Sequence, residues 1–181
     1  QRASNTIYDP TCGSGSLLLR AQSYTANGNV SLYGQEMDNQ TVTLAKLNML
    51  LHGIQNPHIE QGDTINNPKF KNAGGLQTFD ICIANPPFSH KNWLGDAGED
   101  DLYHRWSEEL CPPRKNGDYA FLLHLISSMK EDTGRGACIL PHGVLFRGNA
   151  EAAIRQSLIE KNCVIEGIIG LPQNVFFGTG I

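Results

Sequence analysis

The sequence predicts an α/β fold, a mostly parallel sheet with helices on both faces, as one domain over residues 1–181. Short apolar runs alternate with longer stretches of helical periodicity, the pattern of parallel strands joined by helical crossovers. A glycine-rich turn, Asp9-Pro10-Thr11-Cys12-Gly13-Ser14-Gly15, links the first run to the first helical stretch. Asp9, Glu36, Asp63 and Asn85 each stand at the end of a run. In open sheets of this kind, ligands sit beyond the carboxyl ends of the strands.

In chain order, Thr6 to Tyr8 is a strand ended by Asp9-Pro10, and Ser16 to Ala26 is a helix that Ser14 or Ser16 can cap. Val30 to Gln35 is a second strand, ending at Glu36. Asp38 opens a helix to about His52, with Val42, Ala45 and Met49 at helical spacing and Leu44, Leu47 and Leu51 widening the apolar stripe. Gly53 is its C-cap. Ile59 to Gln61 is a weaker third strand before Gly62-Asp63, and Phe79 to Ala84 is the fourth. Residues 89 to about 116 break the rhythm; they are polar, contain Pro112-Pro113, and carry Trp93, Tyr103 and Trp106. A loop this long in a compact domain is usually functional or mobile. A helix from Asp118 to about Lys130, a strand Ala137 to Leu140, a helix from about Asn149 to Lys161 and a strand Val164 to Ile169 complete the chain.

Composition narrows the function classes. No stretch approaches the ~20 apolar residues that span a bilayer, and none at the start reads as a secretory signal, so a cytoplasmic protein with no membrane contact is expected. The five cysteines are odd in number and include no C-x-x-C pair, which fits reduced thiols and not a disulfide frame or zinc site. Net charge −4 argues against gripping nucleic acid by bulk electrostatics. Any DNA contact must come from a local basic face or a partner subunit. The chain begins at Gln1 and is expected to be a piece of a larger protein.

The fourth strand runs into Asn85-Pro86-Pro87-Phe88. Two successive residues without an N–H cannot continue a ladder, and both prolines fix φ. Asn85, preceding a proline, is pushed towards extended geometry. The result is a stiff corner that holds the Asn85 amide and the Pro86 carbonyl outward, with the Phe88 ring beyond. Two neutral acceptors beside an aromatic face suit a planar group carrying an amine.

In the glycine turn, Gly13 and Gly15 permit close approach of a ligand to the backbone. Glu36, at the end of the second strand, lies at the spacing of an acid that accepts both hydroxyls of a ribose. A dinucleotide fingerprint would want a small residue where Leu18 stands, and Asp9 would repel a pyrophosphate. A cofactor with an ammonium group suits Asp9 better. S-adenosylmethionine has one, and its carboxylate can use the N-terminal amides of the following helix. Asp63 then either accepts from the adenine amine or simply caps a turn after Gly62. Met37 either packs on the adenine or fills the core. Cys12 reads as a small residue that fits, in preference to a nucleophile. His52, His124 and His142 have no metal spacing and read as capping or core-edge residues, so no metal site is expected.

The pair D-P-T-C-G-S-G (9–15) and N-P-P-F (85–88), in that order, resembles the amino-methyltransferases that modify exocyclic nitrogens of DNA bases. Y-G-Q-E-M-D (33–38), L-N-M-L-L-H-G (47–53), D-Y-A-F-L-L-H (118–124), G-A-C-I-L-P-H-G-V-L-F-R-G (136–148) and I-I-G-L-P-Q-N-V-F (168–176) resemble the modification subunit of type I restriction–modification systems. The resemblance implies a Rossmann-like S-adenosylmethionine-dependent methyltransferase fold and methylation of adenine N6 in DNA. Its implied partners are a specificity subunit that reads the DNA and a restriction subunit. It implies cofactor roles for Asp9, Gly13, Gly15, Glu36 and Asp63, beside which Thr11, Ser14 and Met37 are further cofactor-binding candidates, and catalytic roles for Asn85, Pro86, Pro87 and Phe88. The family's upstream motif containing F-Y-T-P and its last antiparallel strand fall outside residues 1–181. The chain is therefore expected to be a domain truncated at both ends, binding cofactor weakly and inactive alone. Two readings of the 89–116 loop stand: Lys91, Arg105, Arg114 and Lys115 face DNA, or the loop is solvated until partners bind. Methylation of a protein glutamine amide, and a non-catalytic scaffold for a specificity subunit, are the rival functions.

Overall fold

Side chains of the central strands, Ile7 and Tyr8 in the first and Leu32 and Tyr33 in the second, turn to opposite faces and build a different core on each face of one sheet. The computed structural model describes residues 5–25, 29–95, 101–160, 165–172 and 175. Strands β1 (Asn5–Asp9), β2 (Val30–Glu36) and β3 (His58–Gln61) are followed by a small antiparallel hairpin, β4 (Lys71–Asn72) with β5 (Gly75–Leu76). β6 (Ile81–Ala84) and β7 (Arg135–Cys138) complete the set. The main sheet has the order β3-β2-β1-β6-β7, and every neighbouring pair is parallel. The helices are α1 (Ser16–Ser23), α2 (Asn39–Leu51), α3 (Asp118–Ser127) and α4 (Ala150–Glu160).

Side chains on a strand point alternately to opposite faces. Ile7, Leu32 and Ile59 therefore share one face, where Leu18 of α1 and Val42, Ala45 and Met49 of α2 cover them. Tyr8, Cys82 and Ala84 share the other, with Phe79 and Leu125 of α3. Tyr8 stacks on Phe79 with ring centroids 4.5 Å apart. The chain lays β1, β2 and β3 outward in one direction, then returns to set β6 on the opposite side of β1. Strand order reverses between β1 and β6, the place where open α/β sheets open a crevice for ligands.

Several expectations need correction. Neither Ser14 nor Ser16 caps α1; its N-cap is Gly15 at φ 76, and the two hydroxyls hydrogen-bond each other at 2.8 Å. On α2, Asp38 does cap, accepting the Thr41 N–H at 2.8 Å, and Gly53 ends the helix at φ 82. Leu44, Leu47 and Leu51 do not widen its buried stripe: they are 54%, 52% and 76% exposed. A helix lying on a sheet buries a narrow stripe, and Val42, Ala45 and Met49 fill it. The expected strand at 164–169 is not formed among its described residues, 165–169, all of which are exposed; Val164 lies outside the described residues. The edge strand β7 offers Arg135, Gly136 and Ala137, little apolar surface for a further strand to bury, and burial drives such pairing more than ladder bonds do. The ends proposed at Ala26 and Lys161 also lie outside the described residues.

The described parts of the 89–116 loop are docked at some residues and exposed at others: Lys91, Arg114 and Lys115 are exposed, as both readings of the loop allow. Trp93, Leu94 and Trp106 are buried in a cluster with Ile65, Tyr119, Phe121, Val144 and Ile154. Arg105 does not face outward: it is 7% exposed, paired with Asp101, and donates to the Ile65 carbonyl at 2.8 Å. Tryptophans spaced through a polar stretch supply the apolar area that docks it, and residues 96–100 are outside the described set.

Candidate active site

Parallel register carries four carboxyl ends to one rim. Asp9 pairs with Gly34, Glu36 with Gln61, and Tyr8 with Cys82. The glycine turn after β1 and the Asn85 corner after β6 therefore leave neighbouring strands on the same side, flanking the reversal of strand order. Ile139 N–H donates to the Ala84 carbonyl at 2.9 Å, which carries the β6–β7 ladder up to Asn85 and no further.

The glycine turn is shaped by its own backbone. Gly13 and Gly15 sit at φ 52 and 76, where glycine alone is unstrained. A Cβ on Gly15 would stand 2.7 Å from Met49 Cε, the mobile end of a side chain that can shift, so the positive φ is what calls for glycine there. Asn48 of α2 donates to the Ser14 carbonyl at 2.9 Å, and Cys12 N–H donates to the Gln35 carbonyl at 2.9 Å. Cys12 itself is buried against Gly34, and burial pushes its thiol up, away from the reactive thiolate. It is a packing residue.

Asp9 is 2% exposed and accepts the Thr11 N–H at 2.9 Å. Burial pushes its carboxyl up to about 7, against the pull of that N–H, and nearby Glu36 adds to the rise. The Thr11 hydroxyl is buried without a hydrogen-bond partner among the described residues. Glu36 accepts the Gly13 N–H at 3.1 Å through Oε2 and the Asp38 N–H at 3.0 Å through Oε1. Each oxygen keeps a lone pair for a further donor. Met37, beside it, is 63% exposed, which overturns the reading that it fills the core. Asp63 is engaged as a turn cap, accepting Ile65 and Asn66 N–H at 2.8 and 3.0 Å and the Asn66 amide at 2.8 Å.

The corner is built differently. Pro86 is buried, Asn85 and Pro87 are exposed, and Phe88 is half-buried. Among the described residues neither the Asn85 amide nor the Pro86 carbonyl has a hydrogen-bond partner. Two unengaged acceptors and a ring thus stand on a corner that cannot flex. A buried hydroxyl without a partner and a bare thioether stand across from them. That donor and acceptor set fits an amine-bearing nucleoside cofactor such as S-adenosylmethionine.

Residues that the motifs did not single out hold these loops. Gln35, fully buried, donates to the Asn67 carbonyl at 3.1 Å and accepts the Lys69 N–H at 2.9 Å. Thr64 donates to the Pro10 carbonyl at 2.5 Å, tying the Asp63 turn to the glycine turn. Below them, Arg105 donates to His124 Nδ1 at 3.2 Å, which leaves Nε2–H to donate to the Tyr8 hydroxyl at 3.1 Å. Burial, reinforced by Arg105, depresses His124 to about 3, so the ring is neutral. A polar residue breaking an apolar strand (Gln35) was the available signal for this layer. His52, by contrast, caps α2 through its ring at the Asn48 carbonyl, and His142 is exposed.

Comparison with known proteins places the chain in a family. The family profile described as N-6 DNA Methylase matches residues 1–181. The chain is 33% identical to the type I restriction enzyme MjaVII methylase subunit of Methanocaldococcus jannaschii, over 96% of this chain and 30% of that protein. It is 34% identical to the MpnII methylase subunit of Mycoplasma pneumoniae, over 97% of this chain and 34% of the other. The solved type I restriction-modification methyltransferase subunit from Streptococcus thermophilus superposes with a TM-score of 0.88 at 41% identity, covering all of this chain and 38% of that one. A putative class I S-adenosylmethionine-dependent methyltransferase from Listeria monocytogenes, 18% identical with a TM-score of 0.61, shares the fold over 90% of this chain and 46% of its own. The chain thus spans about a third of the length of the relatives it matches. With the glycine turn and the Asn-Pro-Pro-Phe corner on one rim of a methyltransferase sheet, this chain belongs to the N-6 DNA methylase family.

Proposed function

We propose that this domain transfers the methyl group of S-adenosylmethionine to the exocyclic N6 of adenine in DNA, as the modification subunit of a type I restriction–modification system. In that assembly a specificity subunit reads the sequence and a restriction subunit joins it. The observation that carries the reading is that the glycine turn and the Asn85 corner leave neighbouring strands at the reversal of strand order. The family description, N-6 DNA Methylase, supports the same substrate, and the names of the similar methylase subunits support the same system.

Asp9 and the Thr11 hydroxyl serve the ammonium end of the cofactor, Gly13, Ser14 and Gly15 let it approach, and Glu36 takes the ribose. Met37 takes the adenine, whose amine can reach the lone pair that Asp63 Oδ2 keeps while the carboxylate caps its turn. When bound, S-adenosylmethionine supplies the methyl group as an electrophile. An adenine amine is a poor nucleophile because its lone pair is delocalised into the ring. Asn85 Oδ1 and the Pro86 carbonyl accept both of its N–H groups and so favour a pyramidal nitrogen with an available lone pair. This is positional and electrostatic catalysis, and Asn accepts without burying a charge. Phe88 stacks on the target base, worth roughly 1–3 kcal/mol, against an extrusion cost of a few kcal/mol. Pro87 stiffens the corner.

The test assembles the full-length subunit with its specificity subunit and follows labelled methyl into DNA and protein. Label is expected on adenine N6, and Asn85→Ala is expected to abolish transfer while cofactor affinity stays near its original value. Label on a glutamine amide would assign the rival activity instead, and loss of cofactor binding in Asn85→Ala would make Asn85 structural.

A further inference from the structure

We infer that Asp118 is the positioning residue for the Asn85-Pro86-Pro87-Phe88 corner and acts on it through the Ser89 amide; the inference rests on the function proposed above. Pro86 and Pro87 have no N–H by which the fold can hold them. The chain leaves the corner through Ser89, whose φ of 50 is left-handed, a region that side chains other than glycine seldom adopt. The Ser89 N–H donates to Asp118 Oδ1 at 2.7 Å. A conformation of this kind persists only where its surroundings over-determine it, and Asp118 is the group that grips it.

Asp118 is itself immobilised. It is fully buried and is the first residue of α3, the helix that lies on β6 and β7. A carboxylate that merely capped its helix would turn its oxygens to the helix's own amides. Here Oδ1 takes the Ser89 N–H and Oδ2 takes Arg147 Nη2 at 2.5 Å. Arg147 Nε lies 2.8 Å from Glu151 Oε2 of α4, out of line for a hydrogen bond, so that contact is ionic. The neighbouring residue repeats the arrangement on the adjacent loop: Tyr119 donates its hydroxyl to the Val144 carbonyl at 2.7 Å. Arg155 donates to the Val144 and Arg147 carbonyls at 3.1 and 2.7 Å. A second tie, Gly117 N–H to the His90 carbonyl at 2.9 Å, fixes the same stretch one residue on. The start of α3 therefore clamps the loops that follow both β6 and β7. Among the described residues no hydrogen bond or ion pair joins these groups to the cofactor residues, so the clamp bears on where the acceptor base and its amine sit.

Two conservative variants separate positioning from a structural need for charge. Asp118→Asn keeps an oxygen for the Ser89 N–H and loses the charge facing Arg147. Asp118→Glu keeps the charge and pushes the carboxylate a methylene further into the Ser89 amide. In the complete enzyme with its partner subunits, Asp118→Glu is expected to lower kcat about 100-fold, the penalty of a misplacement near 1 Å. Cofactor Kd and the KM for DNA should be unchanged, and Asp118→Asn should retain most of the activity. The reverse order, Asp118→Asn worse than Asp118→Glu, or full activity in both, overturns the inference. Melting curves run alongside identify loss of fold, and Ser89 amide exchange should be faster in Asp118→Glu than in Asp118→Asn; equal exchange in the two also overturns it. Asn85→Ala in the same assay keeps the two proposals apart. Activity in that variant would end the proposed function, whereas an inactive Asn85→Ala beside a fully active Asp118→Glu would end only the role of Asp118.

Discussion

Replacing Asp9 by asparagine is expected to strengthen the fold in alkaline solution while weakening cofactor binding. Burial lifts the Asp9 carboxyl from 3.8 to about 7, with the Thr11 N–H opposing and Glu36 contributing. The folded state therefore holds this proton more tightly than the unfolded chain. The group's contribution to stability is complete below the unfolded value of 3.8 and is lost as pH rises to about 7. Between pH 5 and pH 8 the unfolded carboxyl is already ionised and the folded one gives up its proton over two of those pH units, a loss of about 3 kcal/mol at 1.36 kcal/mol per unit. Asparagine does not titrate. Its extra N–H needs a partner in a buried place, an offset of about 1–3 kcal/mol that is independent of pH and cancels in the comparison. Urea denaturation of both proteins at pH 5 and pH 8 should show the stability difference moving in favour of Asp9→Asn by about 3 kcal/mol. A difference equal at the two pH values would refute the buried, proton-holding Asp9. Calorimetry completes the argument: wild-type cofactor affinity should rise towards pH 7 as the anion forms, and Asp9→Asn should bind weakly throughout.

Two further outcomes test other parts of the account. Met37→Ala should weaken cofactor binding measurably by calorimetry and leave stability within about 0.5 kcal/mol, as for an exposed side chain; an unchanged affinity would remove Met37 from the cofactor set. Arg105→Ala strands the buried Asp101 carboxylate, which Arg105 now holds below the usual range despite burial. Chemical denaturation should show a loss of about 3–5 kcal/mol, and a loss under about 1 kcal/mol would mean that the pair is effectively solvated.

The parts of the fold written as periodicity and punctuation were legible in the sequence. The five strands of the main sheet and the helix cores overlap the expected runs, because alternation at period 2 and Val42, Ala45, Met49 at helical spacing are local signals, whereas the cap of α1 was not read correctly. The hairpin at 71–76 was missed because Lys71-Asn72 and Gly75-Leu76 have no strand-like composition. The docking of part of the 89–116 loop was not legible because its polarity is an average over residues, whereas docking depends on Trp93 and Trp106 reaching one cluster. The candidate site was legible as motifs, but not as a mechanism of holding them. Asp118, Arg147, Thr64 and Gln35 act across separations that no local pattern records. That Met37 does not fill the core turned on its exposure, which only packing decides.

The most direct measurement of the central claim is a crystal structure of the full-length protein with S-adenosylhomocysteine. The account predicts density between the two rim loops, with ribose hydroxyls on Glu36, the base beside Met37, and the sulfur turned towards the β6 side, where Asn85 stands. Ligand bound away from the β1–β6 junction, or seated there with its sulfur facing β3, would contradict it.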